Sequence, residues 1–143
     1  MSVGVSAAKP VVRVVAGALF DDSGRVLIAD RPPGKFMAGR WEFPGGKVAA
    51  GEGESAALAR ELQEELGIET LAARRGMALV HEYEDRTIEL SMWIVERYRG
   101  SPRGLDGQRL KWVAVEELEH EDMLPADRPF IEALASATLT AGR

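Results

Sequence analysis

The thirteen residues from Glu54 to Leu66, ESAALARELQEEL, restrict the possible folds more than any other part of the chain. Nearly all are strong helix formers, and Gly67 stands where a helix commonly ends. At about 100° per residue, Leu58, Leu62 and Leu66 step by four and form one apolar stripe that another layer has to cover. An ordinary surface helix would put its charges opposite the stripe, and Arg60 and Glu64 do lie there. Glu61 and Glu65 fall instead at the stripe's edge, as a like-charged i,i+4 pair. Near the helix C-terminus the macrodipole makes acidic groups worse still. Two readings fit this conflict. One is a solvated acidic face with an Arg60–Glu64 pair. The other is a divalent cation, because magnesium and manganese take oxygen ligands and clustered carboxylates supply them.

The remaining segments read mostly as strands. Val11 to Phe20 is rich in β-branched residues and stops at Asp21-Asp22-Ser23-Gly24, a turn signal, before the apolar run Arg25 to Ala29. These two runs are expected to pair as a hairpin. A loop opened by Pro32, Pro33 and Gly34 runs to Gly39, and Trp41-Glu42-Phe43 is a short extended piece. Further strands are expected around Ala78–Tyr83, Ile88–Tyr98 and Leu110–Val115, then a helical turn at Glu116–His120 and a closing helix at Asp127–Ala137. The whole is an α/β domain with mostly antiparallel connections, spanning residues 9–143 behind a flexible tail of residues 1–8.

Composition removes several function classes. The chain has no cysteine, which excludes a disulfide scaffold, a thiolate metal site and a cysteine nucleophile. Its two histidines, His81 and His120, are far apart in sequence. Eighteen basic against twenty-three acidic residues give a net charge of −5, which argues against a nucleic-acid polymer as partner. No stretch is long and apolar enough to span a bilayer, and no leader pattern is visible, so a cytoplasmic protein without membrane contact is expected.

The loop before the helix decides between the two readings of the carboxylates. Gly46, Glu52, Arg60, Glu61, Leu62, Glu64, Glu65, Gly67 and Ile68 stand at the spacing G-x5-E-x7-R-E-U-x-E-E-x-G-U, U being a bulky aliphatic. This resembles the Nudix box, with every specified position filled. The resemblance implies a Nudix hydrolase, with an α/β/α sandwich around a mixed, mostly antiparallel sheet and a catalytic loop-helix-loop. It also implies magnesium-dependent cleavage of a nucleoside diphosphate linked to another group, with manganese able to substitute. By the same resemblance Gly46, through its carbonyl oxygen, and Glu61, Glu64 and Glu65 hold the metal, while Arg60 braces the carboxylates by ion pairing. Glu52 either joins the ligands or caps the helix entry. Leu62 and Ile68 are core residues.

The likeness extends beyond the box. WEFPGGKV, RELQEELGIE and IELSMWIVERYRGSPRG are similar to the MutT branch, which hydrolyses nucleoside triphosphates to monophosphate and pyrophosphate and so cleans the nucleotide pool of oxidised dGTP. It implies water attack at the β-phosphorus, with Glu61 or Asp106 as base. Asp106 falls where MutT-type enzymes carry a metal-binding glutamate, and the loop LDGQ is otherwise a plain turn. Arg31 matches a phosphate- or base-contacting arginine.

At the base-reading position MutT enzymes place asparagine after Pro-Ala, whereas this chain has Asp127 after Pro125-Ala126, as the bacterial CTP pyrophosphohydrolases do. An ionised aspartate only accepts hydrogen bonds and suits the cytosine amino group. A protonated one also donates, which requires burial to raise its pKa. Asp127 is otherwise an N-cap. Phe36, Trp41 and Phe43 line the pocket or join the core. Oxidised dGTP and CTP or 5-methyl-dCTP are therefore the leading substrates. ADP-ribose, a dinucleoside polyphosphate, and binding without turnover are the alternatives. The sequence leaves monomer and homodimer open.

Overall fold

The computed structural model describes residues 9–136; the expected tail, residues 1–8, lies outside them. The strands are β1 (Val11–Leu19), β2 (Val26–Asp30), β3 (Trp41–Glu42), β4 (Gly45–Lys47), β5 (Glu69–Glu82), β6 (Thr87–Arg99) and β7 (Leu110–Val113). Helix α1 runs Glu54–Leu66 and α2 Arg128–Ala135, with 3-10 turns at Val115–His120 and Pro125–Asp127. One sheet has the order β4-β1-β6-β5 and the other β3-β2-β7. Among the described residues the named strands pair antiparallel except β1 with β6, so the sheet structure is mixed and mostly antiparallel.

Strand alternation divides the core into two layers. Val15 and Leu19 of β1 and Leu27 of β2 pack beneath α1 with Ala57, Leu58, Leu62 and Leu66. Ala16, Ala18, Val26 and Ile28 face the other way, onto Phe43 and onto Phe130, Ile131 and Leu134 of the α2 layer. This is the α/β/α sandwich that the Nudix resemblance implies. The three stripe leucines are fully buried, each contributing about 2 kcal/mol by removal from water. Helix α1 ends as its sequence says it should: Gly67 adopts φ 72° and its N–H donates to the Gln63 carbonyl.

The expected β1–β2 hairpin is not what forms. The Asp21 carboxylate accepts the N–H of Ser23 and Arg25 and makes the turn, and one bridge joins Phe20 to Val26. Beyond it the strands part into different sheets. β1 is held by β6 over nine register positions, Val11–Thr87 to Leu19–Val95, and by β4 on its other edge. Both of its edges are therefore taken by strands that are not its sequence neighbour.

β5 also begins earlier than expected, at Glu69, because bulges near Ala72 and Arg75 break the alternation that a strand reading relies on. The closing helix is split into the Pro125–Asp127 turn and α2. Ala137 lies outside the described residues. Asp127 occupies the N-cap position without a side-chain capping bond.

Candidate active site

The box loop is threaded so that β4 runs between β1 and α1. Val15 registers with Gly46 and Ala16 with Gly45. A Cβ on Gly45 would collide with the Val15 carbonyl oxygen, and one on Gly46 with the Glu61 carboxyl. Glycine at both positions is thus imposed by close approach, and at Gly46 the space is taken by an acidic side chain.

Arg60 organises the acids around it. Its Nε and Nη2 form a fork on Glu52, at 2.7 and 2.8 Å. Nη1 donates to Glu61 at 3.0 Å and to Glu64 at 3.3 Å, and Nη2 also donates to the Lys47 carbonyl at 3.0 Å. All five N–H groups of the guanidinium are used. The Arg60 bonds, helped by the Ala49 N–H, hold the Glu52 carboxyl down at about 2. Glu52 is a brace within the box loop, and Gly53 rather than Glu52 is the N-cap of α1. The expected Arg60–Glu64 pair is present, and the same guanidinium also holds Glu52 and Glu61.

Glu61 and Glu65 face each other across the edge of α1. Burial, and then the neighbouring Glu61 carboxyl, push Glu65 well above the usual carboxylate range, with Glu42 and Asp106 adding to the effect. Both glutamates line a cavity of about 430 Å³ together with Gly46 and Asp106. Glu64 and Glu52 do not line it, and the Glu64 side chain is 59% exposed. Among the described residues no three His, Cys, Asp or Glu side chains converge as a ready-made metal cage. Magnesium does not require one, since it keeps water and substrate oxygens as ligands. A Glu61 carboxyl pressed against a backbone position that admits no Cβ, with the Glu65 carboxyl beside it, is a donor set that fits such a cation.

The opposite end of the cavity is built from β3, the 31–40 loop and the Pro125–Asp127 turn. Phe43 and Asp127 lie there, and the Phe43 N–H donates to Asp127 Oδ2 at 3.3 Å. Asp127 is only 4% exposed. That burial pushes its carboxyl up to about 8, with the Glu42 charge adding to it. Phe36 lines the cavity, in edge contact with Tyr83 and beneath the Arg86 guanidinium, while Trp41 belongs to the core. Arg31 also lines the cavity, tied to Glu42 at 2.7 Å and to the Phe36 carbonyl.

The structure therefore gathers Arg31, Phe43, Gly46, Glu61, Glu65, Asp106 and Asp127 around one space. Glu42 is a wall residue that the sequence reading passed over. The available signal was its place between Trp41 and Phe43, where strand alternation turns a lone acid away from two aromatics. Burial raises Glu42 in spite of its Arg31 partner.

An arginine-braced carboxylate helix, reached through a glycine loop and laid on a mixed sheet, is the architecture of a Nudix domain. The model of the NUDIX domain matches residues 15–133, and the chain belongs to that family. Over 123 residues it is 37% identical to the 8-oxo-dGTP diphosphatase of Escherichia coli K12, covering 86% of this chain and 95% of that protein. It is 39% identical to the CTP pyrophosphohydrolase of the same organism, covering 86% of this chain and 90% of that protein. The solution structure of the E. coli ORF135 protein superposes with a TM-score of 0.80 at 36% identity, covering 94% of this chain and 96% of that one.

Proposed function

We propose that this chain, acting as one domain over residues 9–143, is a magnesium-dependent hydrolase that converts (deoxy)nucleoside triphosphates to monophosphate and pyrophosphate. The observation that carries the reading is that one cavity holds the Glu61 and Glu65 carboxyls at one end and the buried Asp127 at the other. Relatives named for 8-oxo-dGTP and for CTP support it. Its place would be the cytoplasm, where it would keep the nucleotide pool clean. Among the described residues no helix is long and apolar enough to cross a membrane.

Bound magnesium would neutralise charge developing on the triphosphate. The Gly46 carbonyl oxygen, Glu61 and Glu65 would hold it. Glu64 has the longest bond to Arg60, and its exposed side chain can swing to join them at small cost. The base that takes the proton of the attacking water is drawn from Glu61 and Asp106. Nε and Nη1 fix Arg31 to the wall, leaving Nη2 for a phosphate oxygen.

Asp127 connects base choice to pH. As the neutral acid it donates with its O–H and accepts with its C=O, the pattern that O6 and N7–H of oxidised guanine require. Ionised, it only accepts. Its carboxyl stands near 8, so it is mainly neutral at pH 7 and loses the proton as pH rises through 8. The ratio of kcat/KM for oxidised dGTP to that for CTP is therefore expected to fall about tenfold between pH 7 and pH 9. Asp127→Asn, which donates at every pH, should flatten that ratio and shift preference toward oxidised dGTP. An identical pH profile in the variant would leave Asp127 as a structural acid.

The defining assay is a panel of oxidised dGTP, dGTP, CTP, 5-methyl-dCTP, ADP-ribose and a diadenosine polyphosphate, with separation of the nucleotide products. One triphosphate is expected to dominate kcat/KM. Dominance of ADP-ribose or of the dinucleotide would overturn the triphosphate reading, and binding without turnover would make the chain a sensor.

A further inference from the structure

The last carbonyls of an α-helix have no partner within the helix. In α1 they are taken by the loop that joins β6 to β7. Arg103 N–H donates to the Leu66 carbonyl and Leu105 N–H to the Glu65 carbonyl, each at 3.0 Å. Gln108 adds a bond of a different kind. Its Nε2 donates to the same Glu65 carbonyl oxygen at 3.2 Å, while its Oε1 accepts the Asp106 N–H at 2.9 Å. One side-chain amide thus ties the main chain of a cavity glutamate to the main chain of the acid opposite it.

Gln108 itself lines the cavity, but both ends of its amide are spent on protein groups. The loop around it is tight. Gly107 N–H bonds to the Gly104 carbonyl at 3.1 Å, and a Cβ on Gly104 would collide with the Gln108 carbonyl oxygen. Plain turn closure needs only these backbone contacts. The amide does something more: it ties the main chain of Asp106 to that of Glu65, and both residues line the same cavity.

We infer that Gln108 is a positioning residue that locks Asp106 to the C-terminal end of α1, so that Asp106 and Glu65 present their carboxyls to one divalent cation. The inference deepens the reading of this cavity as a cation-dependent hydrolase and rests on it. Groups that orient metal ligands typically govern affinity by about 10- to 100-fold.

The test titrates nucleotide-free protein with Mn2+, following the free ion by electron paramagnetic resonance, alongside melting temperature and pyrophosphate release. Gln108→Leu removes both bonds at similar volume and is expected to weaken Mn2+ about tenfold, with melting near that of the parent. Gln108→Glu keeps an acceptor for Asp106 N–H, so the loop still closes. Its carboxylate cannot donate to the Glu65 carbonyl, and Mn2+ should weaken to an intermediate degree. Because Gln108 acts through Asp106, the double variant Asp106→Ala/Gln108→Leu should bind Mn2+ no more weakly than Asp106→Ala alone.

Mn2+ affinity within twofold of the parent in Gln108→Leu, or additive losses in the double variant, would overturn the inference. An Asp106→Ala protein with unchanged Mn2+ affinity would do the same. If the parent protein releases no pyrophosphate while the Mn2+ pattern holds, the triphosphate reading fails and Gln108 keeps its role. If the parent turns over and the Mn2+ pattern is absent, Gln108 fails alone.

Discussion

Glu61→Gln is expected to lower kcat by about a thousandfold or more and, in the absence of metal, to leave the melting temperature unchanged or raise it. Both halves follow from where the side chain sits. Its carboxyl fills the space that a Cβ on Gly46 would need, and it faces Glu65, whose pKa it helps to raise. Glutamine has the same shape, can still accept from Arg60 Nη1, and can donate to Glu65 where the glutamate repelled it. The fold should therefore gain by the exchange, while the cation loses a ligand and the attacking water loses a candidate base.

Melting curves with and without magnesium separate these effects. A cation that binds only the folded protein raises its melting temperature by mass action. The parent should gain from added magnesium and Glu61→Gln should gain little. A variant with full turnover would remove the α1 carboxyls from the mechanism. A variant that melts far below the parent would show that the Glu61–Glu65 contact is cohesive in the folded protein.

How far a residue's role could be read in advance depended on how local its cause is. Helix α1 was legible to the residue, because helix propensity, a leucine step of four and a terminal glycine all act within a few residues. The extended character of β1 and β2 was legible for the same reason. Their partners were not: β1 pairs with β6, more than seventy residues away, and nothing within β1 names that partner. β5 was half hidden because its bulges spoil the period of two.

The site divides along the same line. Spacing alone placed Glu61 and Glu65 at the edge of the leucine stripe, which is where the cavity lies. Asp127 could be suspected from its position after Pro-Ala. Its protonation state could not, because burial in the folded protein and the Glu42 charge set it, and these outweigh the opposing Phe43 N–H bond from 84 residues away. Gln108 carried no signal at all. Its significance lies in two backbone partners, one of them 43 residues earlier in the chain.

Arg60→Ala should cost about a hundredfold in kcat/KM together with several degrees of melting temperature at pH 7, although Arg60 lies outside the cavity lining. The guanidinium is the common partner of Glu52, Glu61 and Glu64 and also closes the Lys47 carbonyl beside Gly46. Without it three acids and a strand carbonyl each lose a donor at once, Glu52 keeping the Ala49 N–H, and Glu61 is no longer aimed. Lysine restores the charge but not the planar fork on Glu52, so Arg60→Lys should recover only a small part of the activity. Acid supplies an independent check. Arg60 holds Glu52 at about 2 against an ordinary 4.5, so the Glu52–Arg60 contribution to stability is complete above pH 4.5 and is lost as pH falls toward 2. The gap in melting temperature between the parent and Arg60→Ala should therefore be full at pH 7 and narrow across that acid window. A gap that stays constant from pH 7 to pH 2.5 would place the effect of Arg60 in packing rather than in its pairing with Glu52.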